Sequence, residues 1–265
     1  MTVVRISGLT KTFAKGNITA LSGIDLTIEP GEFVSLIGPS GCGKSTLPRL
    51  IGDLTPPTAG TVEVNGKPAP KARADHDYGM VFQDSVLFDW RTVARNVALP
   101  LELLGWSRAK RAARTEEMLE LVELQGFGDH HPWQLSGGMQ MRVAIARALA
   151  IEPSLLLMDE PFGALDEMTR ERLNIELLEL WRRMSSTVVF VTHSISEAVF
   201  LSTRVVVMSP RPGRVAGVVD IDLPQPRSAD TREEPRFFEL VTEVRELLRG
   251  LGADEHGSVL AETSE

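Results

Sequence analysis

A chain of 265 residues, 43% hydrophobic and 24% charged, is long enough to bury a sizeable core and shows no bias toward disorder. Its net charge of -8 argues against a nucleic-acid partner, which calls for a basic face, and its single cysteine, Cys42, excludes an intrachain disulfide. The opening MTVVRISGLTKTF lacks the apolar core of a signal peptide, and the longest apolar runs fall far short of the roughly 20 residues that cross a bilayer, so a cytoplasmic setting is expected, with membrane association only through a partner.

In chain order, short β-branched runs alternate with longer helical patterns, which predicts an α/β fold with a mainly parallel sheet. Strands are expected at Val3 to Ser7, Gly23 to Ile28, Phe33 to Ile37, Gly60 to Val64, Tyr78 to Phe82, Leu155 to Met158, Val188 to Thr192 and Arg204 to Met208, with a turn at NGKPAP. From Val93 to Ala150 the pattern is almost continuous helix, as an all-helical lobe inserted into the α/β core would give. After Pro210 the text is turn-rich and linker-like, followed by an amphipathic helix around Phe237 to Leu248 and a polar, frayed end.

The third strand runs into GPSGCGKS, which fits G-x-x-x-x-G-K-[ST] through Gly38, Gly43, Lys44 and Ser45. Such a loop turns successive backbone N–H groups, those of residues 41 to 46 (Gly41 to Thr46), toward a phosphate. Lys44 is expected on the β- and γ-phosphates, Ser45 on Mg²⁺, and Thr46 on a further phosphate contact. If Cys42 caps the following helix, Pro48 lies past the harmless first-turn positions, and a local kink costing up to about 3 kcal/mol is expected, with nucleotide binding retained. A helix N-terminus tends to lower the pKa of a thiol such as Cys42; the plainer reading is a small residue that fits.

Farther on, LLLMDEP ends an apolar strand in Asp159 and Glu160, at the strand end where α/β folds bind ligands. Asp159 is expected to organise Mg²⁺ through a water, and Glu160 to polarise the attacking water. Between the two motifs, LSGGMQMRVAIARALA offers Ser136 as a helix cap and a first turn opened by Gly137 and Gly138, a second helix end suited to an anion.

Taken in this order, GPSGCGKS, LSGGMQ and LLLMDEPFGALD resemble the ATP-binding subunit of ATP-binding cassette (ABC) transporters, through nearly all of the chain up to about residue 225. The resemblance implies a P-loop (RecA-like) core with an antiparallel β subdomain in residues 1–225, a helical subdomain inserted at 84–153, and a C-terminal helical extension and tail from 226 to 265. It implies ATP and Mg²⁺ as cofactors, with Gly38, Ser40, Gly41, Cys42, Gly43, Lys44, Ser45 and Thr46 around the nucleotide. A head-to-tail pair of copies also follows, in which Ser136, Gly137 and Gly138 meet the γ-phosphate held by the other copy. Phe13 stands where a ring, more usually tyrosine, stacks on adenine. Gln83 matches the glutamine that senses Mg²⁺ and links to the membrane subunit, Asp166 the aspartate that couples the two sites, and His193 the switch histidine at the γ-phosphate. Ser194, Ser196 and Thr203 stand where the family often has aspartate, and Met141 where glutamine is common, which leaves every phosphate contact in place.

VFQDSVLFDWRTVARNVALPLEL and FLSTRVVVMSPRPGRV further resemble importer subunits of the nitrate, sulfonate and taurine group. Those work on the cytoplasmic face of the membrane with a two-copy permease and an extracytoplasmic solute-binding protein. Phe88 and Trp90 are expected to line the groove that receives the permease, or else to pack between lobes. The alternatives are a soluble cassette ATPase of DNA repair or ribosomes, which usually carries coiled coils or two cassettes, and a phosphate-loop kinase, which needs no LSGGMQ.

Overall fold

Alternation along a few short runs decides where the layers of this protein meet. In β3 (Phe33–Ile37), β7 (Leu155–Asp159) and β8 (Thr187–Val191) every residue is buried, as strands covered on both faces must be. Their side chains alternate between two cores: Phe33, Ile37, Leu156, Met158, Val188 and Phe190 point one way, and Val34, Leu36, Leu155, Leu157, Val189 and Val191 the other. The computed structural model describes residues 2–259 apart from Lys15 and Ser185, with side chains described through Leu251.

The main sheet has the order β10-β9-β3-β8-β7-β6, where β6 is Tyr78–Val81, β9 Arg204–Met208 and β10 Val215–Asp220. Pairing is parallel throughout except for β9 with β10. A second, antiparallel sheet of order β2-β1-β4-β5 is built from β1 (Val4–Phe13), β2 (Ile18–Ile28), β4 (Ala59–Val64) and the two-residue β5 (Lys67–Pro68). It packs on one face of the main sheet together with the short helices α1 (Thr46–Ile51) and α2 (Ala69–Ala74).

The helical lobe comprises α3 (Val93–Leu103), α4 (Arg108–Leu121) and α5 (Gly137–Leu149). Each starts where a hydroxyl accepts an otherwise unpaired N–H, Thr92 from Arg95, Ser107 from Lys110 and Ser136 from Met139. Beyond it, α6 (Glu167–Met184) and α7 (Ile195–Leu201) cover the other face of the main sheet.

Two expectations need correction. The stretch after Pro210 is not a linker: Val215–Asp220 forms the edge strand β10, and the segment behind it is anchored by Arg227, which is 5% exposed. Its guanidinium donates to the carbonyls of Val199 (3.3 Å), Phe200 (2.7 Å), Ser202 (2.9 Å) and Leu223 (3.1 Å), satisfying the C-terminal end of α7. Burial without an acidic partner pulls the Arg227 pKa down to about 10. The last helix, α8 (Pro235–Val259), is longer than expected at both ends, and buries Phe237, Leu240, Val241 and Val244 against the core; the final six residues of the expected frayed end lie outside the described residues.

The second correction concerns Pro48. Helix α1 begins at Thr46 with Ser45, not Cys42, as its N-cap, so Pro48 is the third helical residue. A missing donor at a first-turn position costs little, and Lys44 O, the acceptor an N–H at 48 would have used, takes the N–H of Leu47 instead. The turn before it closes instead through Thr46 N–H to Gly43 O (2.9 Å) and Leu47 N–H to both Gly43 O and Lys44 O (3.2 Å each), while Pro48 O accepts from Gly52 N–H at 2.9 Å. Replacing Pro48 with leucine is accordingly expected to shift unfolding stability by no more than about 1 kcal/mol and to leave ATP affinity unchanged. Denaturant unfolding and a nucleotide titration check this, and a much more stable variant would restore the kink interpretation.

Candidate functional site

Strands β3, β8 and β7 are consecutive neighbours, so the loops at their carboxyl ends open on one place. The first is the glycine loop. Gly43 has φ of 97° and a Cβ there would lie 2.6 Å from Leu21 Cδ2 and 2.9 Å from the Ala20 carbonyl, so only glycine allows the chain to turn this closely over β2. Lys44 is 7% exposed and its ammonium group donates to the carbonyls of Gly38 (2.8 Å) and Pro39 (2.9 Å), fixing a positive charge within the loop.

Cys42 lies wholly buried beneath this loop, in the core that includes Leu36, Leu47 and Met208. Burial pushes its thiol pKa up, with the Lys44 charge opposing. The plainer reading, a small residue that fits, is the one this burial agrees with: the backbone N–H groups of the loop lower the pKa less than burial raises it, and Cys42 does not cap α1.

The second loop begins at Asp159, the last residue of β7. Burial raises its carboxyl pKa, the Ser45 hydroxyl and Arg49 opposing; the Arg49 guanidinium stands 3.7 Å away. Its Oδ1 is buried and has no hydrogen-bond partner among the described residues. An orphaned carboxylate oxygen beside a hydroxyl is the kind of sparse, hard donor set that suits Mg²⁺, which keeps waters and phosphate oxygens for its remaining positions. Among the described residues no cluster of three or more His, Cys, Asp or Glu side chains forms a metal cage.

Glu160 follows with φ of 48°, a left-handed conformation that costs a non-glycine residue on the order of 1–3 kcal/mol. It is held there by its own N–H donating to Val191 O (3.0 Å) and its carbonyl accepting from Gly163 N–H (3.1 Å). The third loop supplies His193, whose Nδ1 lies 3.4 Å from Glu160 Oε2 and whose side chain is 56% exposed. Gln83, after β6, reaches the same spot: a Cβ on Gly163 would lie 3.6 Å from both Gln83 Nε2 and Glu160 Oε2.

The remaining predicted residues stand around this center. Phe13 ends β1 with its ring 40% exposed and the Lys11 ammonium group 5.1 Å from its centroid. Asp166 caps α6 by accepting from Thr169 N–H at 3.0 Å, which lowers its carboxyl pKa. Ser136 and Gly137 are exposed at the start of α5, and no hydrogen bond among the described residues joins Ser136 to Lys44 or Glu160. Gly138 is buried there, and a Cβ on it would lie 3.2 Å from Thr169 Cγ2.

Four contributors escape a sequence reading. Gly213, in a stretch that reads as a turn, packs so tightly behind the loop that a Cβ would fall 2.0 Å from the Cys42 carbonyl. Arg147, on α5, donates to the carbonyls of Val86 (2.8 Å) and Ser85 (2.9 Å), and Gln140 is joined to the Ser85 hydroxyl at 3.3 Å, so the helix carrying Ser136 grips the segment after Gln83. Asn96, fully buried, bonds Phe88 N–H (2.8 Å) and the carbonyls of Phe88, Arg91 and Thr92, holding the loop that displays Trp90. Only the spacing of Arg147 from the SGG turn was a usable signal. Trp90 is 73% exposed and lines a cleft of about 1230 Å³ with Arg91, Arg95, Glu102 and Arg108, while Phe88 lies half-buried 4.7 Å from the Trp90 ring.

Residues 21–163 match the family model described as ABC transporter. The chain is 44% identical over 260 residues to a nitrate import ATP-binding protein of Synechocystis sp., covering 95% of this chain and 97% of that protein. It is also 44% identical over 241 residues to a taurine import ATP-binding protein of Burkholderia pseudomallei, covering 89% and 92%. Among solved structures, a dimeric ATP-binding cassette in a post-hydrolysis state with ADP and Pi superposes with a TM-score of 0.73 at 38% identity, covering 83% of this chain and all of that one. No helix among the described residues is long and apolar enough to cross a membrane.

Proposed function

The chain belongs to the ABC transporter family and is an ATPase of the cassette type, and on that premise we propose that it is the ATP-hydrolysing subunit of an importer for a small solute of the nitrate, sulfonate or taurine kind. It acts as a head-to-tail pair on the cytoplasmic face of the cell membrane, with a separate permease and, through it, an extracytoplasmic solute-binding protein. The observation that carries this reading is the meeting of Lys44, Asp159, Glu160 and His193 at three adjacent strand ends, with Ser136 exposed on the other lobe. The import names of the relatives and the dimeric state of the structural neighbour support the partners.

In this reading the N–H groups of Gly41 to Thr46 and the Lys44 ammonium cradle the phosphates, with Gly38 and Ser40 shaping the loop and Phe13 stacking on adenine. Ser45, Gln83 and Asp159 would hold Mg²⁺, which when bound would neutralise charge on the phosphate oxygens. Glu160 draws a proton from the attacking water, and His193 presents its ring to the γ-phosphate beside it. Ser136, Gly137 and Gly138 complete the site of the other copy, and Asp166 links the two sites. The cleft at Trp90 receives the permease.

Ser136→Ala tests the pairing. Hydrolysis is expected to fall about a hundredfold, while binding of ATP to the isolated monomer, followed by fluorescence titration, stays unchanged. The cap that Ser136 gives α5 is worth only about 1 kcal/mol, so unfolding does not confound the result. Lost monomer binding would place Ser136 in the wrong copy. The transport reading itself is tested by recovering tagged Glu160→Gln from detergent-solubilised native membranes with Mg-ATP and identifying what accompanies it by mass spectrometry. A multi-spanning permease is expected; only soluble or ribosomal partners would overturn the importer assignment in favour of a non-transport cassette.

A further inference from the structure

The ion-pair partner of the His193 ring among the described residues is Glu160 Oε2 at 3.4 Å, and more than half of the His193 side chain is exposed. What fixes it is the backbone on either side. The Thr192 hydroxyl donates to the Glu197 carboxylate and accepts the N–H of Ser194 at 3.0 Å. The Ser194 hydroxyl in turn accepts the N–H of Glu197 at 3.3 Å, capping α7. Both chain neighbours of His193 are thus tied to one residue.

Glu197 is only 5% exposed, and its Oε1 has no hydrogen-bond partner within bonding distance among the described residues, although the Asn174 amide stands near enough to favour the carboxylate. Burial raises its pKa, opposed by the Thr192 hydroxyl and the Arg170 charge. Arg170 bonds the carbonyls of Phe162 (3.3 Å) and Leu165 (2.8 Å), on the segment that follows Glu160. From outside, Arg232 donates to the Ser196 hydroxyl at 3.0 Å and lies 4.1 Å from the Phe200 ring. An incompletely paired buried carboxyl is costly, and an apolar residue of similar volume often replaces such a group without loss of stability. Stability alone therefore does not account for it.

We infer that Glu197 is a positioning residue for His193, holding the Thr192 to Ser194 backbone so that the imidazole is presented beside Glu160. The inference rests on the role proposed above for His193. Its signature is a loss in kcat with the KM for ATP unchanged, because the phosphate loop on β3 is untouched.

The test is steady-state ATPase kinetics of the full chain carrying Glu197→Leu, which removes the acceptor of the Thr192 hydroxyl at similar volume, Glu197→Gln, which keeps an oxygen to accept it, Thr192→Val, Thr192→Ser, His193→Ala and the double variant of His193→Ala with Glu197→Leu. Glu197→Leu and Thr192→Val are each expected to lower kcat about tenfold to a hundredfold, and Glu197→Gln and Thr192→Ser, which keep the hydrogen bond, to retain it. In the His193→Ala background, Glu197→Leu is expected to add no further loss. An unaltered kcat for Glu197→Leu, or the same fractional loss with His193 already absent, overturns the inference while leaving the site intact. If His193→Ala itself turns over at the normal rate, the assignment of His193 falls, and this inference with it.

Discussion

Glu160→Gln is expected to lower steady-state ATP hydrolysis by at least about a hundredfold, the scale of a lost general base, while ATP affinity is retained. Glutamine keeps the shape of the side chain and the backbone bonds that hold residue 160 at its positive φ, the N–H to Val191 O and the carbonyl to Gly163 N–H. What disappears is the proton acceptor beside His193 Nδ1. The phosphate loop, on a different strand, is unaffected. Because the nucleotide is then held without being consumed, the variant is expected to elute as a dimer with Mg-ATP and as a monomer without it. Phosphate release and gel filtration check both halves, and turnover within a few-fold of the unmodified chain would remove Glu160 from the role proposed for it.

A chain ending at Gln225 is expected to lose cooperative folding. The cut removes Arg227 and so strips four carbonyls of their donor, three of them at the end of α7. It also removes Phe237, Leu240, Val241 and Val244 from the core, each 8% exposed or less. At about 1.5–3 kcal/mol per fully buried side chain, those four account for roughly 6–12 kcal/mol, comparable to the 5–15 kcal/mol that holds a whole domain. Losing even half of that would leave little reserve. Calorimetry of the shortened chain decides the matter. An undiminished transition temperature would make the extension an independent appendage, whereas aggregation or a broad transition would place it within the folding unit.

The parts of the molecule that could be read from sequence are those whose chemistry is contiguous. GPSGCGKS carries its glycines, lysine and hydroxyl in one run, and LLLMDEP places its acids at the very end of the strand that aims them, Asp159 as its last residue and Glu160 just after it. Strands β3, β7 and β9 were legible because burial on both faces demands unbroken apolar runs. Strand β10 was not, since VAGVVD contains a glycine and closely follows Pro210, Pro212 and Gly213, and edge strands tolerate such sequences. Position within a helix was also hidden: whether Pro48 is harmless depends on the start of α1, which the loop geometry sets. Gly213 lies far from the glycine loop in sequence, and its need for a missing Cβ arises only when Cys42 is brought against it. Arg227, amid prolines and polar residues, has the local composition of a solvent-exposed linker, and only the carbonyls at the end of α7 give it a buried purpose.

The clasp of Arg147 and Gln140 on Ser85 and Val86 joins the exposed start of α5, proposed above to meet the other copy, to the loop displaying Trp90, proposed above to receive the permease. Two surfaces on one stiff body exchange free energy in both directions. A ligand at the Trp90 cleft that favours the paired arrangement of the chains must, by linkage, bind more tightly to the pair by the same factor. Arg147→Ala would loosen that exchange without touching either surface, so the dissociation constant at the cleft would cease to depend on whether the chains are paired.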